Sequence, residues 1–408
     1  MLVNVGDLYL GWAADKEIFE KSDHGGVVIS LMRFALRERM ADVAISIDKK
    51  EGSRFDVMLK AVDNPDEIKP VGSLHCVTPG IAKFLREYLD GAENKRVILV
   101  AKPCDAKAMI ELAKRKQVNI DNVIVIGVNC TGTFRPHDFK KMAREVFGIE
   151  PEKVVSEEIE DGKLILKTSD GKQLEKDLRE LEERGYGRRE NCRRCETPIP
   201  KMADLAIGKW GARDKKSFIE VCSTKGAELL KKAIEKGVIF VEKAPEESIK
   251  EREEKYRRAL EEARYWQRKT IEHLEKMKLE ERLEYWTSQF RRCIKCMGCR
   301  DSCPLCYCME CMLEAWRGYV KAGELPPDRL FPIMRIAHVA DSCVNCGQCE
   351  DACMMEIPIT SLLFTVNSKI REVFKYEAGM RLEEKPPLIS VTDKELKIPD
   401  VELKPGVL

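Results

Sequence analysis

The chain has 408 residues, of which 35% are charged, and its 71 lysines and arginines almost balance its 70 aspartates and glutamates. This balance gives no basic footprint for nucleic acid, and no stretch approaches the roughly twenty apolar residues of a membrane-spanning helix. The length predicts two or three domains. Because the chain has 17 cysteines and residues 1–10 lack a secretory signal pattern, we expect a protein of the reducing cytoplasm.

Residues 1–243 are predicted to form an α/β domain, because β-type segments alternate with helical patterns. Residues 96–101 and 123–128 are apolar and rich in β-branched side chains, and a helical pattern at 105–116 lies between them. A hairpin is expected at 163–174, around a Ser-Asp-Gly turn. No Walker loop and no G-x-G-x-x-G motif occurs, so a standard dinucleotide-binding site is not predicted.

Residues 244–290 are predicted to form a charged helical linker. Residues 246–290 contain neither Pro nor Gly and are rich in Glu, Lys and Arg, which favours one or two long helices. Most of the charged surface is interpreted as a solvated connector. An apolar stripe for docking on a neighbour is offered by Leu260, Trp266, Ile271, Leu274 and Trp286.

Residues 291–365 contain two four-cysteine runs with the same spacing, C-x2-C-x2-C-x3-C. This spacing is typical of the cysteines that bind 4Fe-4S clusters in two-cluster ferredoxins. Zinc usually takes two separated cysteine pairs, and disulfide frameworks belong to small secreted chains, so both alternatives fit poorly. We therefore predict a small α+β, ferredoxin-like module with two 4Fe-4S clusters. The runs are Cys293, Cys296, Cys299 and Cys303, followed by Cys343, Cys346, Cys349 and Cys353.

The fourth cysteine of each run is expected to bind the other cluster, as in two-cluster ferredoxins. Cys353 would then join the first three cysteines of the first run, and Cys303 would join the first three of the second. Three further cysteines follow the first run and could replace a predicted ligand. Spacing alone leaves open the role of these thiols, Cys306, Cys308 and Cys311.

The last segment, residues 366–408, is rich in Pro, Lys and Glu. We expect a C-terminal tail that lies along the fold or against a partner subunit. Residues 388–391 have the composition of a short β-type piece.

Four cysteines of the first domain lie in loops or at strand ends. Cys104 and Cys130 each follow a predicted strand, so in one parallel sheet both would lie at its carboxyl edge, where open α/β folds bind ligands. Cys192 and Cys195 form a C-x-x-C pair that could complete a four-thiolate set. Such pairs also occur in redox disulfides and zinc sites, so spacing leaves a third cluster as one alternative among these.

Several short motifs of the first domain have a recognisable combination: KSDHGGVV at 21–28, KPC at 102–104, NC at 129–130, CRRC at 192–195 and ADLAIG at 203–208. Together they resemble the β subunits of coenzyme F420-reducing hydrogenases. In that family an FAD lies against a 4Fe-4S cluster and accepts hydride from the reduced deazaflavin coenzyme. The resemblance implies that Cys104, Cys130, Cys192 and Cys195 bind this cluster, which gives three 4Fe-4S clusters in all.

The domain order adds CIKCMGCRDSCP at 293–304 and GRRENCRRC at 187–195, which resemble the β subunits of archaeal F420-dependent formate dehydrogenases. This resemblance implies an electron-transfer oxidoreductase subunit that takes coenzyme F420 as substrate. Its partner would be the formate dehydrogenase α subunit, which holds a molybdenum or tungsten pterin. An alternative is an adaptor without an F420 site that links a hydrogenase or heterodisulfide reductase complex to ferredoxin or NAD(P)H. A further alternative is a structural scaffold subunit stiffened by its clusters.

The flavin site is expected to use backbone N–H groups and small residues for the phosphates, and cationic side chains for flavin or deazaflavin anions. For each glycine alone, a turn that needs a positive φ explains the residue equally well. FAD would carry the hydride, so we assign no catalytic base. The expected FAD contacts are Ser22, His24, Gly25, Gly26, Thr78, Pro79, Gly80, Lys102, Gly132, Thr133, Gly208 and Lys209.

Overall fold

The computed structural model describes residues 2–49, 55–72, 74–317 and 330–390. These residues form a mixed α/β structure with one large and one small sheet. The strands in chain order are β1 (Leu8–Ala13), β2 (Val43–Lys49), β3 (Val57–Val62), β4 (Val97–Ala101), β5 (Val123–Val128), β6 (Val154–Glu160), β7 (Lys163–Thr168), β8 (Gln173–Asp177), β9 (Leu205–Gly208), β10 (Ser217–Val221) and β11 (Ile239–Lys243).

Helices are interspersed among these strands as far as β11, and beyond β11 the described elements are helical. Short 3-10 turns lie at Pro65–Glu67, Asp90–Ala92, Ile120–Asn122, Pro151–Lys153 and Ala315–Arg317. The α-helices are α1 (Lys16–Lys21), α2 (Val27–Arg37), α3 (Ile81–Tyr88), α4 (Pro103–Lys114), α5 (Pro136–Glu145), α6 (Leu178–Glu183), α7 (Glu190–Arg193), α8 (Thr224–Glu235), α9 (Glu246–Glu275), α10 (Leu279–Phe290), α11 (Gly298–Asp301), α12 (Leu330–Ala337), α13 (Gln348–Asp351), α14 (Ile359–Phe374) and α15 (Pro387–Ser390).

The large sheet has the strand order β11-β1-β10-β9-β5-β4-β2-β3. Its central strands β2, β4, β5 and β9 pair in parallel, and the outer pairs are antiparallel. The predicted strands at 96–101 and 123–128 are confirmed as β4 and β5, with Leu99 opposite Val125. The predicted hairpin is confirmed as β7 and β8 in the small antiparallel sheet β6-β7-β8.

The two faces of the large sheet carry different layers, because successive side chains of a strand point to opposite sides. Ile98 and Ile126 pack with buried residues of α2 and α8 on one face. Leu99 and Val125 pack on the other face with buried residues of α3 and α4 and with Leu305 of the cysteine-rich region. The cysteine-rich region therefore shares a hydrophobic core with the first domain.

The C-terminal third differs from expectation in two ways. Its described residues between 291 and 365 form helices and no strand, whereas an α+β composition was expected. Helix α14 runs across residue 366, where the tail was expected to begin, because buried apolar residues such as Leu363 and Phe364 continue its packed face. Residues 387–390 are helical rather than β-type, with Pro387 at a first helical position that proline favours, and Val391 lies outside the described residues.

The long helices predicted between residues 246 and 290 are found as α9 and α10. The 30 residues of α9 span about 45 Å. Trp266 and Leu274 of the predicted stripe are buried, and its other members are half-buried. Through Gln267, whose Nε2 donates to the carbonyl O of Arg194 at 2.9 Å, α9 supports the C-x-x-C segment. Among the described helices, none combines the length and the apolar character needed to cross a membrane.

Candidate iron-sulfur and flavin sites

The four first-domain cysteines meet at the carboxyl edge of the large sheet. Cys104 begins α4 directly after β4, and Cys130 follows β5, the parallel neighbour of β4. Cys192 in α7 and Cys195 just after it complete the group, and all four line one cavity of about 440 Å³. Burial raises the pKa of Cys130 to about 11. We call these four thiols the first-domain set.

The eight cysteines of the two runs separate into two groups, each with three members of one run and the fourth of the other. Burial raises the pKa of Cys299 to about 11, and the other three thiols of its group add to the rise. Burial also raises the pKa of Cys349, with contributions from the other three thiols of its group. We call Cys293, Cys296, Cys299 and Cys353 the outer set, and Cys303, Cys343, Cys346 and Cys349 the middle set.

Segment 187–195 of the first domain docks on the loop of the second cysteine run. Asn191 Nδ2 donates to the carbonyl O of Asn345 at 3.0 Å. The buried Arg189 donates from Nε to Asp351 Oδ1 at 3.1 Å. These contacts hold the first-domain set against the helical C-terminal region, with a charge-assisted bond among them.

The three sets follow one another through the protein. Cys346 of the middle set lies close to Cys104. Burial and then the charge of Asp105 raise the pKa of Cys104, and the charge of Cys346 adds to the rise. The middle and outer sets adjoin, since Cys299 of the outer set lies in one hydrophobic cluster with Cys343 and Cys349 of the middle set. The order is first-domain set, middle set, outer set.

Among the described residues, no three Cys, His, Asp or Glu side chains converge closely enough to hold one metal ion. In a four-iron cluster each thiolate binds a different iron atom, so the four sulfurs lie farther apart than the ligands of one ion. Cys306 lies near Cys303, Cys308 and Cys311, and burial raises its pKa to about 11.

The close approach of the first-domain and middle sets depends on Gly347. Its φ is +78°, and an added Cβ would lie 2.2 Å from Asn191 Oδ1. We expect Gly347→Ala to lower the free energy of unfolding by about 2 kcal/mol more than Gly237→Ala, because Gly237 has a φ of +66° but nothing within 4 Å of an added Cβ. Anaerobic urea unfolding measures both. Equal losses would mean that only backbone strain matters at Gly347.

One group of expected flavin contacts gathers beside the start of α2. Gly26 precedes α2 with a φ of +69°, and Lys209 forms ion pairs with Glu158 at 3.1 Å and with Glu160 at 3.5 Å. Burial, and then the charge of Lys209, lower the pKa of His24, which places His24 beside Lys209. Ser22 Oγ is buried and has no hydrogen-bond partner among the described residues.

Gly208 and Gly25 are explained by close packing. A Cβ on Gly208 would lie 2.3 Å from the side-chain amide of Asn129, and one on Gly25 would lie 3.0 Å from the carbonyl O of Gly11. The Asn129 amide is itself buried, and neither its oxygen nor its nitrogen has a partner among the described residues. Such unpaired atoms fit a polar ligand, because a buried amide without a hydrogen-bond partner lowers the stability of the fold by about 1–3 kcal/mol.

The remaining expected flavin contacts lie toward the thiols. Thr133 Oγ1 is 3.4 Å from Cys192 Sγ, and Gly132 packs against the Arg188 side chain and Cys192. The carbonyl O of Thr78 accepts from Gln348 at 3.4 Å, and Gly80 also faces Gln348, so Thr78, Pro79 and Gly80 lie at the C-terminal region. Lys102 donates to the carbonyl oxygens of Leu74 and Val77 at 2.8 and 2.9 Å.

His75 connects these two neighbourhoods. Its Nδ1 lies 2.9 Å from the carbonyl O of Gly132, next to the first-domain set. Burial lowers the pKa of His75 to about 4, and the charges of Lys102 and Lys209 act in the same direction. The region around His24 and Lys209 is therefore continuous with the first-domain set.

A family model for the N-terminal part of the coenzyme F420 hydrogenase/dehydrogenase beta subunit matches residues 8–84, and a model for the C-terminal part of the same beta subunit matches residues 94–247. The chain is 40% identical over 382 residues to the F420-dependent formate dehydrogenase subunit beta of Methanocaldococcus jannaschii, covering 93% of this chain and 98% of that protein. This chain belongs to the coenzyme F420 hydrogenase/dehydrogenase beta subunit family. It is therefore an oxidoreductase subunit.

Other relatives differ in how much of this beta subunit they match. The F420-dependent formate dehydrogenase 1 subunit beta of Methanococcus maripaludis is 38% identical and covers 94% of this chain and 97% of its own length. The coenzyme F420 hydrogenase subunit beta of Methanococcus voltae is 27% identical and covers 56% of this chain and 80% of its own length. A chain of the F420-reducing [NiFe] hydrogenase complex from Methanosarcina barkeri has the same fold, with a TM-score of 0.56, 18% identity and coverage of 69% of this chain and 98% of that one.

Sequence reasoning missed several residues that shape the sites of this beta subunit. Arg189 and Asn191 lie within GRRENCRRC, a motif that carried the resemblance but gave no role to these two side chains. Asn129 lies within the Asn-Cys motif and could have been included for its polar amide. Nothing in the sequence singled out Arg335, a buried arginine of α12.

Proposed function

We propose that this beta subunit exchanges hydride between coenzyme F420 and FAD, and passes single electrons through three 4Fe-4S clusters to or from a formate dehydrogenase α subunit. The α subunit would hold a molybdenum or tungsten pterin. The observation that carries the proposal is the order of the first-domain, middle and outer sets, which begins beside the His24 and Lys209 region.

The thiols of the three sets fit cluster ligands. Burial raises the pKa of Cys104, Cys130, Cys299 and Cys349 above the usual thiol value, so a deprotonated thiolate is costly there unless a metal binds it. Each set would hold one 4Fe-4S cluster, with the fourth cysteines of the two runs exchanged between the middle and outer sets.

The flavin region fits a large polar cofactor. FAD, when bound, links two-electron hydride transfer to single-electron transfer. Ser22 Oγ and the Asn129 amide would donate or accept hydrogen bonds to it, which would satisfy their buried and unpartnered atoms. Lys209 would orient an anionic group of the flavin or of the deazaflavin substrate, while Glu158 and Glu160 hold its ammonium group in place.

A formate dehydrogenase is favoured as the partner by the extent of the similarity. The two formate dehydrogenase beta subunits match 93% and 94% of this chain, including its cysteine runs, whereas the Methanococcus voltae hydrogenase subunit matches 56%. Hydrogenase or heterodisulfide reductase subunits are further candidate partners. Electrons would cross to the partner at the outer set, where Cys296 is exposed and the flanking Met354 is 79% exposed.

The test is carrier specificity. The anaerobically purified protein, loaded with FAD and clusters, is mixed separately with reduced F420, NADH and NADPH while the flavin absorbance is followed. We expect rapid bleaching by reduced F420 and none by the nicotinamides. Bleaching by NADH or NADPH, or a flavin that only dithionite reduces, would replace the proposal with the adaptor function.

A further inference from the structure

Arg335 is a buried cation between the middle and outer sets. It lies on α12, is 5% exposed, and its Nη2 donates to the carbonyl O of Cys299 in the outer set at 3.1 Å. Its side chain also lines the cavity formed by Cys293, Cys296 and Cys353. The adjacent Ile336 packs with Cys343 and Cys349 of the middle set, so α12 contacts both sets.

The guanidinium group of Arg335 lacks some of its hydrogen bonds. Nε and Nη1 are buried and have no hydrogen-bond partner among the described residues. A buried guanidinium is normally paired or fully hydrogen-bonded, because its desolvation is costly. Groups of opposite charge are available as thiolates, since Cys303, Cys306, Cys299 and Cys349 all interact electrostatically with Arg335.

A fixed positive charge changes the reduction of a cluster in a known direction. Reduction adds one electron and makes the cluster with its thiolates more negative. A nearby cation and N–H donors to the sulfurs stabilise that reduced form, and charge and hydrogen bonding to sulfur are recognised determinants of cluster potential. The interaction is strong when the cation is shielded from water.

We propose that Arg335 raises the reduction potentials of the clusters in the middle and outer sets, with Nε and Nη1 directed at cluster or cysteine sulfur. Arg335 is thus a tuning residue that keeps the electron acceptors of the C-terminal region accessible to electrons from the first domain. This inference rests on the proposed function, because it requires the clusters. It concerns these two sets because Arg335 contacts Cys299 and the cavity of the outer set. Arg335 also interacts electrostatically with Cys303 and Cys349 of the middle set.

The experiment is a dithionite titration of the anaerobic holoprotein, followed by electron paramagnetic resonance, with Arg335→Gln and Arg335→Met compared with the unaltered chain. We expect two of the three clusters to have a reduction equilibrium constant about tenfold lower, a shift of about 59 mV for one electron. The first-domain cluster, identified by its loss in Cys104→Ser, should keep its potential. Arg335→Lys retains the charge and should recover most of the shift.

Iron content separates the two proposals. An unaltered protein without clusters would overturn the proposed function, whereas clusters with unchanged potentials in both neutral variants would overturn only the role of Arg335. A shift shared equally by the first-domain cluster would also overturn it. If both neutral variants fail to assemble clusters, Arg335→Lys decides the question. Clusters that assemble in Arg335→Lys with potentials close to those of the unaltered chain would support a role for the positive charge. Failure of Arg335→Lys to assemble clusters would exclude that role.

Discussion

Anaerobic preparations of the Cys346→Ser variant are expected to contain about eight iron atoms per chain, where the unaltered protein contains about twelve. Cys346 belongs to the middle set, and its charge acts on Cys104 of the first-domain set. Electron transfer from reduced F420 to a dye that reacts at the outer set should fall by at least about 100-fold, the upper range for disturbing a metal site. Flavin bleaching by reduced F420 should persist, because the flavin is reduced before electrons reach the middle set.

The matched control is Cys222→Ser. Cys222 is a half-buried cysteine outside the three sets, with its Sγ 3.6 Å from the carbonyl O of Glu220. This variant should keep its iron and its dye reduction. Full iron content and undiminished dye reduction in Cys346→Ser would contradict a path through the middle set.

The Glu111→Ala variant is expected to lose about 3–5 kcal/mol of unfolding free energy, since it strips a buried charge from its partners. Glu111 is fully buried in α4 and pairs with Lys114 at 3.0 Å and with Arg115 at 2.5 Å. It also accepts from Tyr376 Oη at 2.6 Å and from the backbone N of Gly379 at 2.7 Å. This network ties α4, the helix that carries Cys104, to the segment after α14.

Anaerobic urea unfolding measures this loss, and limited proteolysis near residues 375–390 reports release of the segment. Glu228→Ala is the control, because Glu228 forms an exposed ion pair with Lys232 at 2.6 Å. It should change the unfolding free energy by no more than about 1 kcal/mol. Similar losses in both variants would mean that the buried network does not fasten the C-terminal region.

Local patterns predicted well the secondary structure of the first domain and of the helical segment that follows it. Strands β4 and β5 were visible as short apolar segments, and α9 as a long stretch without Pro or Gly. The sequence predicted that Cys104 and Cys130 lie close together, because each follows a strand and the carboxyl ends of neighbouring parallel strands meet at the same edge of a sheet. The grouping of the two runs was also expected from cysteine spacing, although cluster binding itself stays a prediction.

Long-range packing explains the failures. The expected flavin contact Gly80 faces Gln348, which lies far away in sequence, so no local pattern could reveal that Gly80 belongs to the contact with the C-terminal region. Residues 366–374 looked polar enough for a tail, yet their helix begins at Ile359 and docks through its earlier apolar residues. Arg335 shows no motif, because its significance depends on the thiols that surround it in three dimensions.

The most direct test of the electron path is rapid freezing of the anaerobic holoprotein at successive times after mixing with reduced F420, with flavin absorbance and cluster signals read from the same reaction. We predict that the flavin is reduced first and that signals from reduced clusters follow. Clusters that dithionite reduces but that stay oxidised after the flavin has been bleached by reduced F420 would contradict the path from the flavin through the three sets.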